Sequence, residues 1–222
     1  MMLNGNKGEE SMIIEQFKEH KIISIVRGIA VEDVEQIFQT LYEEGIRLIE
    51  VTLNTEHALM IINEMSRKFE GRMFVGAGTV LTPEMAIQAI KAGAKFILTP
   101  TVNVETIHTV KKEGVFCIAG ALTPTEILTA YENGADLVKI FPAGTMGVNY
   151  LKDLQGPLPQ IPTVPTGGID VTNALEFLEA GATALGVGSS IVKGKKGYDE
   201  NDFAELREKA SKFFQVCHSK NR

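Results

Sequence analysis

Lys139 and Glu50 are charged side chains set in otherwise apolar stretches, ADLVKIFPAG (135–144) and LIEVTLN (48–54). Burying a charge is costly unless it is paired or lost. A lysine held in apolar surroundings has its ammonium form disfavoured, so its pKa falls and the neutral amine becomes a nucleophile. Such amines attack ketones to form Schiff bases, whose iminium draws electrons from an adjacent C–C or C–H bond without metal or external cofactor. A carboxylate in a partly dry site titrates nearer neutrality, which suits Glu50 to carrying protons to and from the intermediates. The alternative is a buried ion pair that only fixes the fold, or a lysine that snorkels to solvent.

Two loops add a second signal. TGGID (166–170) and GVGSS (186–190) are rich in glycine and hydroxyl groups. Glycines such as Gly167, Gly168 and Gly188 let backbone N–H groups approach a phosphate, and Thr166 and Ser189 can donate from their hydroxyls. A lone Gly-Gly is usually a turn; two such loops make a stronger case. A phosphate held there would fix a substrate's reactive carbon over the lysine. Lys195 and Lys196 nearby read as a solvated loop.

The elements that must position these groups come from a repeat. EEGIRLIEV, KAGAKFILT, KEGVFCIAG, ENGADLVKI and EAGATALGV each show a helix ending in glycine (Gly45, Gly93, Gly114, Gly134, Gly181) and feeding into an apolar strand. Thr82-Pro83-Glu84 and Thr123-Pro124-Thr125-Glu126 mark helix starts. Strands are expected around 22–26, 46–53, 73–76, 95–99, 115–118, 136–140, 162–165 and 184–187, with a leading helix at 9–20 and a closing one at 199–217. This alternation predicts an α/β chain folded as a (β/α)8 TIM barrel with an extra N-terminal helix, one domain over 1–222, and a disordered tail at 1–8. An open doubly wound sheet is the runner-up, but it lacks GxGxxG after the first strand.

In such barrels the site lies at the C-terminal strand ends. Those positions hold Arg27 after SIV, Glu50, Thr79 in GAGTV, Pro100 in LTPT, Gly120 in IAGALT, then Lys139, Phe141 and the two glycine loops. Side chains alternate along a strand, so Leu137, Lys139 and Phe141 share a side, as do Leu48, Glu50 and Thr52. If both sides face inward, amine and carboxylate meet above an apolar floor.

The totals bound the partners. With 44% hydrophobic and 23% charged residues the chain reads as a globular protein able to bury a large core, and a net charge of −6 argues against nucleic-acid or membrane binding. No apolar run approaches a membrane span, and MMLNGNKGEE is not a signal peptide, so a cytoplasmic location is expected. Cys117 and Cys217 are no disulfide framework, and Cys117 in VFCIAG reads as a small buried hydrophobe. His20, His57, His108 and His218 have no metal-ligand spacing; neither metal nor cofactor is expected.

LIEVTLNTE, VGAGTVL, LTP, LVKIFPA, VPTGGI and GVGSSIV resemble, in order and spacing, the 2-keto-3-deoxy-6-phosphogluconate (KDPG) and 4-hydroxy-2-oxoglutarate (KHG) aldolases, from about Ile22 to Lys193. The resemblance implies a metal-independent homotrimer of barrels that acts on a small keto acid. In it Lys139 matches the Schiff-base lysine and Glu50 the proton shuttle. Thr79 matches a contact to the pyruvate carboxylate, and Pro100 and Phe141 match the pyruvate pocket. Gly167, Gly168 and Ser189 match the phosphate site, with Thr166 beside it. Arg27 matches an arginine that binds an anionic substrate group in part of the family. Three departures stand out. Asn54 takes a place where some members carry arginine and the phosphogalactonate relatives tend to have asparagine, leaving the sugar epimer open. Ala119 replaces a usual proline, and Thr101 a commoner glycine or asparagine. An isomerase or phosphate-ester barrel, and a sugar-phosphate-binding protein without catalysis, are the alternatives outside aldol chemistry.

Overall fold

The computed structural model describes residues 6–219. Eight strands form one sheet: β1 (Ile22–Val26), β2 (Leu48–Thr52), β3 (Phe74–Gly78), β4 (Phe96–Leu98), β5 (Phe116–Ala121), β6 (Leu137–Ile140), β7 (Thr163–Pro165) and β8 (Leu185–Val187). Every neighbouring pair is parallel, in the order β7-β6-β5-β4-β3-β2-β1-β8. The bridge between Thr166 and Gly186 and the bond from Thr183 N–H to the Thr163 carbonyl (2.8 Å) bring β7 against β8 and nearly close the barrel.

Helices α2 (Val31–Glu43), α3 (Ala58–Lys68), α4 (Pro83–Lys91), α5 (Val104–Lys112), α6 (Pro124–Glu132), α7 (Ala143–Gln155), α8 (Ala174–Glu179) and α9 (Glu200–His218) each follow a strand, and α1 (Asn6–His20) precedes them. Of the tail expected at 1–8, residues 1–5 lie outside the described residues and 6–8 begin α1. The five glycines expected to end helices all have positive φ, from 72° at Gly114 to 106° at Gly93, which an L side chain rarely adopts. Thr82 accepts a hydrogen bond from Met85 N–H, and Thr123 and Glu126 form a reciprocal capping box. One feature has no counterpart in the sequence reading: α7 is broken at Gly147 (φ 77°, ψ 169°), so 143–146 form a separate turn at the barrel mouth.

Alternation along the strands sorts the apolar residues into two layers. Ile22, Ile49, Val75, Ile97 and Val138 face the helices. Ile23, Leu48, Leu98, Ile118, Leu137 and Val164 fill the interior. The N-terminal end of that interior is stopped by Phe17 of α1, stacked on Phe116 (centroids 4.9 Å apart) and edge-on to Phe96 (5.3 Å). Cys117 is buried as expected, its thiol pushed up to about 12, first by burial and then by the nearby Asp136.

Candidate active site

One pleat above the apolar floor, the same alternation places a second set of residues. Glu50 stands two residues beyond Leu48, Lys139 two beyond Leu137, and Pro100 two beyond Leu98. Ladder register pairs Lys139 with Gly120 and Val164, and Glu50 with Ile25 and Gly76. Both charged groups therefore face inward, as their spacing predicts.

Their surroundings decide between the readings of the pair. Glu50 is fully buried and Lys139 is only 5% exposed. Neither Glu50 oxygen has a hydrogen-bond partner among the described residues, and the two side chains form no ion pair. The fold therefore does not use them as a paired structural strut, and the lysine does not snorkel to bulk solvent. Instead Lys139 opens into a cavity of about 700 Å³, with Nζ 5.2 Å from the centre of the Phe141 ring. Burial holds the Glu50 carboxyl above the ordinary carboxylate value, while the positive charges of Lys139 and Arg27 pull the other way. A carboxyl group so placed can hold a proton and release it when charge develops beside it.

The cavity is the mouth of the barrel. Arg27, Thr79, Pro100 and Phe141 line one part of its wall, and Thr166, Gly167, Gly168, Gly188 and Ser189 line another. Thr79 has φ 58°, a strained setting for a β-branched residue that costs on the order of 1–3 kcal/mol. Two of the residues singled out from the sequence do not line the cavity. Glu50 is fully buried behind the lining, and Gly120 packs against the Pro100 and Thr99 backbone, which a side chain there would overlap.

The glycine loops are shaped by bonds to their carbonyls. Thr166 and Gly167 carbonyls accept from Ala143 and Gly144 N–H (2.8 and 2.7 Å), and that of Gly168 from Asn173 Nδ2 (2.9 Å). The Gly188 carbonyl accepts from Ile191 and Val192 N–H (2.9 and 3.0 Å). The N–H groups of Gly168 and Ser189 have no partner among the described residues, which suits them to an anion. Thr166 differs from its sequence reading in one respect. Its hydroxyl donates to the Val164 carbonyl at 3.2 Å and its side chain packs on Gly186, so it serves the barrel closure as well as the cavity. Lys195 and Lys196 pair with Asp202 and Glu56.

Asn54, Gly28, Ser190 and Gly194 also line the cavity. Ser190 was legible in GVGSS, and its hydroxyl donates to the Ile169 carbonyl at 2.7 Å. Gly194 carried no signal; it matters because a Cβ there would come within 2.9 Å of the Arg27 carbonyl. Among the described residues no three His, Cys, Asp or Glu converge as metal ligands, and no helix is long and apolar enough to cross a membrane.

Charged groups gathered at the C-terminal ends of parallel strands put the chain in the class of (β/α)8 barrels that carry their site on that face. The narrower assignment comes from comparison with known proteins. Residues 13–208 match the family model of the KDPG and KHG aldolases. The chain is 33% identical over 205 residues to the 2-dehydro-3-deoxy-phosphogluconate aldolase of Treponema pallidum, covering 92% of this chain and 97% of that one. It is 31% identical over 173 residues to the 2-dehydro-3-deoxy-6-phosphogalactonate aldolase of Escherichia coli, covering 78% and 84%. Its fold is similar to that of the Legionella pneumophila KDPG aldolase solved with pyruvate captured as a covalent carbinolamine (TM-score 0.76, 28% identity, 90% and 94% covered). The chain belongs to the KDPG and KHG aldolase family, and so to the lyases.

Proposed function

We propose that this aldolase splits 2-keto-3-deoxy-6-phosphogluconate into pyruvate and glyceraldehyde 3-phosphate through an imine on Lys139. The observation that carries the reading is the pair of buried groups, unpaired among the described residues, with Lys139 opening into the cavity and Glu50 buried behind its lining. The carbinolamine named for the Legionella relative supports the same chemistry.

In this reading the Lys139 amine adds to the C2 ketone, and the Glu50 carboxyl protonates the carbinolamine hydroxyl, which leaves as water. The resulting Glu50 carboxylate takes the proton of the C4 hydroxyl. The C3–C4 bond then breaks, its electron pair moves into the iminium to give an enamine, and the aldehyde departs. Glu50 returns its proton to the enamine carbon, and water then hydrolyses the iminium to pyruvate and the free amine, the proton released going back to the Glu50 carboxylate. Thr79, Pro100 and Phe141 shape the pyruvate end, Arg27 takes an anionic substrate group, and Gly167, Gly168, Gly188 and Ser189, with Thr166, hold the phosphate. No metal or cofactor is part of the scheme. The homotrimer implied by the resemblance goes with it, as does the cytoplasmic location expected from the sequence; a solution mass three times that of one chain checks the former.

A second reading is favoured by Asn54 on the cavity wall, since the resemblance implies asparagine there in the phosphogalactonate members, and by the 31% identity to the Escherichia coli phosphogalactonate aldolase. Turnover on the pure gluconate and galactonate epimers, and on unphosphorylated 4-hydroxy-2-oxoglutarate, separates these substrates. The first test is incubation with pyruvate and borohydride, followed by peptide mass mapping. A reduced adduct on Lys139 is expected; a folded protein left unmodified would overturn the imine.

A further inference from the structure

Arg27 is an exposed cation on the cavity wall that forms no ion pair among the described residues, so its direction depends on how its backbone is held. The β1–β2 ladder stops at the Val26–Val51 pair, one residue before it. One residue after it, Gly28 adopts φ 63° and turns the chain away. Two buried hydroxyls bracket this turn. Gly28 N–H donates to Thr55 Oγ1 at 3.1 Å, Thr55 Oγ1 lies 3.0 Å from Thr52 Oγ1, and Thr52 Oγ1 donates to the Val26 carbonyl at 3.5 Å. Because the Thr52 proton is given to the Val26 carbonyl, Thr52 accepts from Thr55, whose oxygen accepts in turn from Gly28 N–H. The bonded chain thus starts just after Arg27 and returns just before it. Thr55 is only 4% exposed and is itself fixed, its N–H donating to the Thr52 carbonyl at 2.8 Å and its carbonyl accepting from Ala58 N–H at 3.2 Å.

We propose that Thr55, acting through Thr52 and Gly28, is a positioning residue that sets where the Arg27 guanidinium meets the anionic substrate. The inference rests on the reading of Arg27 as an anion-binding group. Thr55→Val keeps the shape and removes the hydroxyl, whereas Thr55→Ser keeps the hydroxyl. Losing one positioning hydrogen bond should raise KM for the phosphorylated keto acid by about 3- to 10-fold, with kcat nearly unchanged. Thr55→Ser should restore KM, and Thr52→Val should repeat the Thr55→Val effect from the other end of the chain. Residues that act as a unit are non-additive, so in an Arg27→Ala background Thr55→Val should change KM by less than about twofold.

The steady-state constants of these variants, with melting curves to show that each is folded, are the test. A Thr55→Val KM at the wild-type value, or one raised by the same factor with and without Arg27, would overturn the inference while leaving Arg27 in its role. A Thr55→Ser variant as impaired as Thr55→Val would also overturn it, because the hydroxyl would then not be the acting group. An Arg27→Ala variant with unchanged KM would remove the anion-binding reading itself, and the inference with it. If Thr55→Val does not fold, Thr52→Val carries the same comparison.

Discussion

Glu50 lies against Gly78 of the neighbouring strand: a methyl group at Gly78 would overlap the carboxyl oxygen. The other glycine of VGAGT, Gly76, is covered by the Phe96 ring instead. The two absent side chains on β3 thus make room for different things, one for the floor and one for the buried acid.

Gly78→Ala should therefore push the Glu50 carboxyl out of place while most of the barrel persists. Overpacking of this kind costs about 1–3 kcal/mol of stability, and loss of a placed proton carrier costs roughly 10²- to 10⁴-fold in turnover. Melting temperature and kcat on one preparation check both. A variant with wild-type kcat would show that the acid does not need this position.

Glu50 also predicts a stability profile. Its folded pKa is raised above the ordinary 4.5, so the folded state holds this proton more tightly than the unfolded state does. The protonated form favours folding below 4.5, and that contribution is lost as pH rises toward the folded value. Glu50→Gln cannot titrate. Its stability relative to wild type should improve steadily as pH rises from 4.5, even as aldol cleavage falls. Paired melts across pH measure the difference; a flat difference would mean that Glu50 is not penalised by burial.

The glycine loops predict a split between substrates. Gly168 has φ 74°, and a Cβ there would come within 2.9 Å of the Gly144 Cα. Gly168→Ala must disturb this contact and the loop's N–H groups. KM for a phosphorylated substrate should rise about tenfold or more, as loss of charge-assisted bonds implies. Cleavage of unphosphorylated 4-hydroxy-2-oxoglutarate should change little. Equal losses on both substrates would mean that the loop supports the Lys139 side of the cavity rather than a phosphate.

At the far end of the barrel, Phe17 should matter for folding and not for chemistry. It is fully buried between rings from β4 and β5. Phe17→Ala should cost about 3–5 kcal/mol, read by urea unfolding, with kcat unchanged for the folded fraction. A loss below 1 kcal/mol would show that α1 is not the stopper its packing implies.

Much of this architecture could be read from local signals. A glycine after a helix reports a left-handed backbone whatever lies beyond it, and all five expected positions behave so. Strand alternation is equally local, and it alone orients Leu48 of β2 and Leu137 of β6 toward the interior. Strand limits were less certain. β5 runs on to Ala121, past the expected 118, because its pairing with β6 continues to the Ala121–Ile140 pair. β3 likewise runs on to Gly78, where the partner is Thr52 of β2.

The site divides along the same line. Residue type and spacing sufficed to choose Lys139, Glu50 and the two glycine loops, because the cost of a buried charge and the N–H supply of a glycine loop are properties of a few adjacent residues. They did not reveal that Glu50 has no hydrogen-bond partner among the described residues, that Gly120 packs against Pro100 instead of lining the cavity, or that the missing side chain of Gly194 leaves room for the Arg27 carbonyl. Those relations depend on strands and loops remote in the chain meeting at one barrel mouth. Only closure of the sheet at Thr166 and Gly186 sets those distances, because periodicity fixes which way a side chain faces but not what it meets.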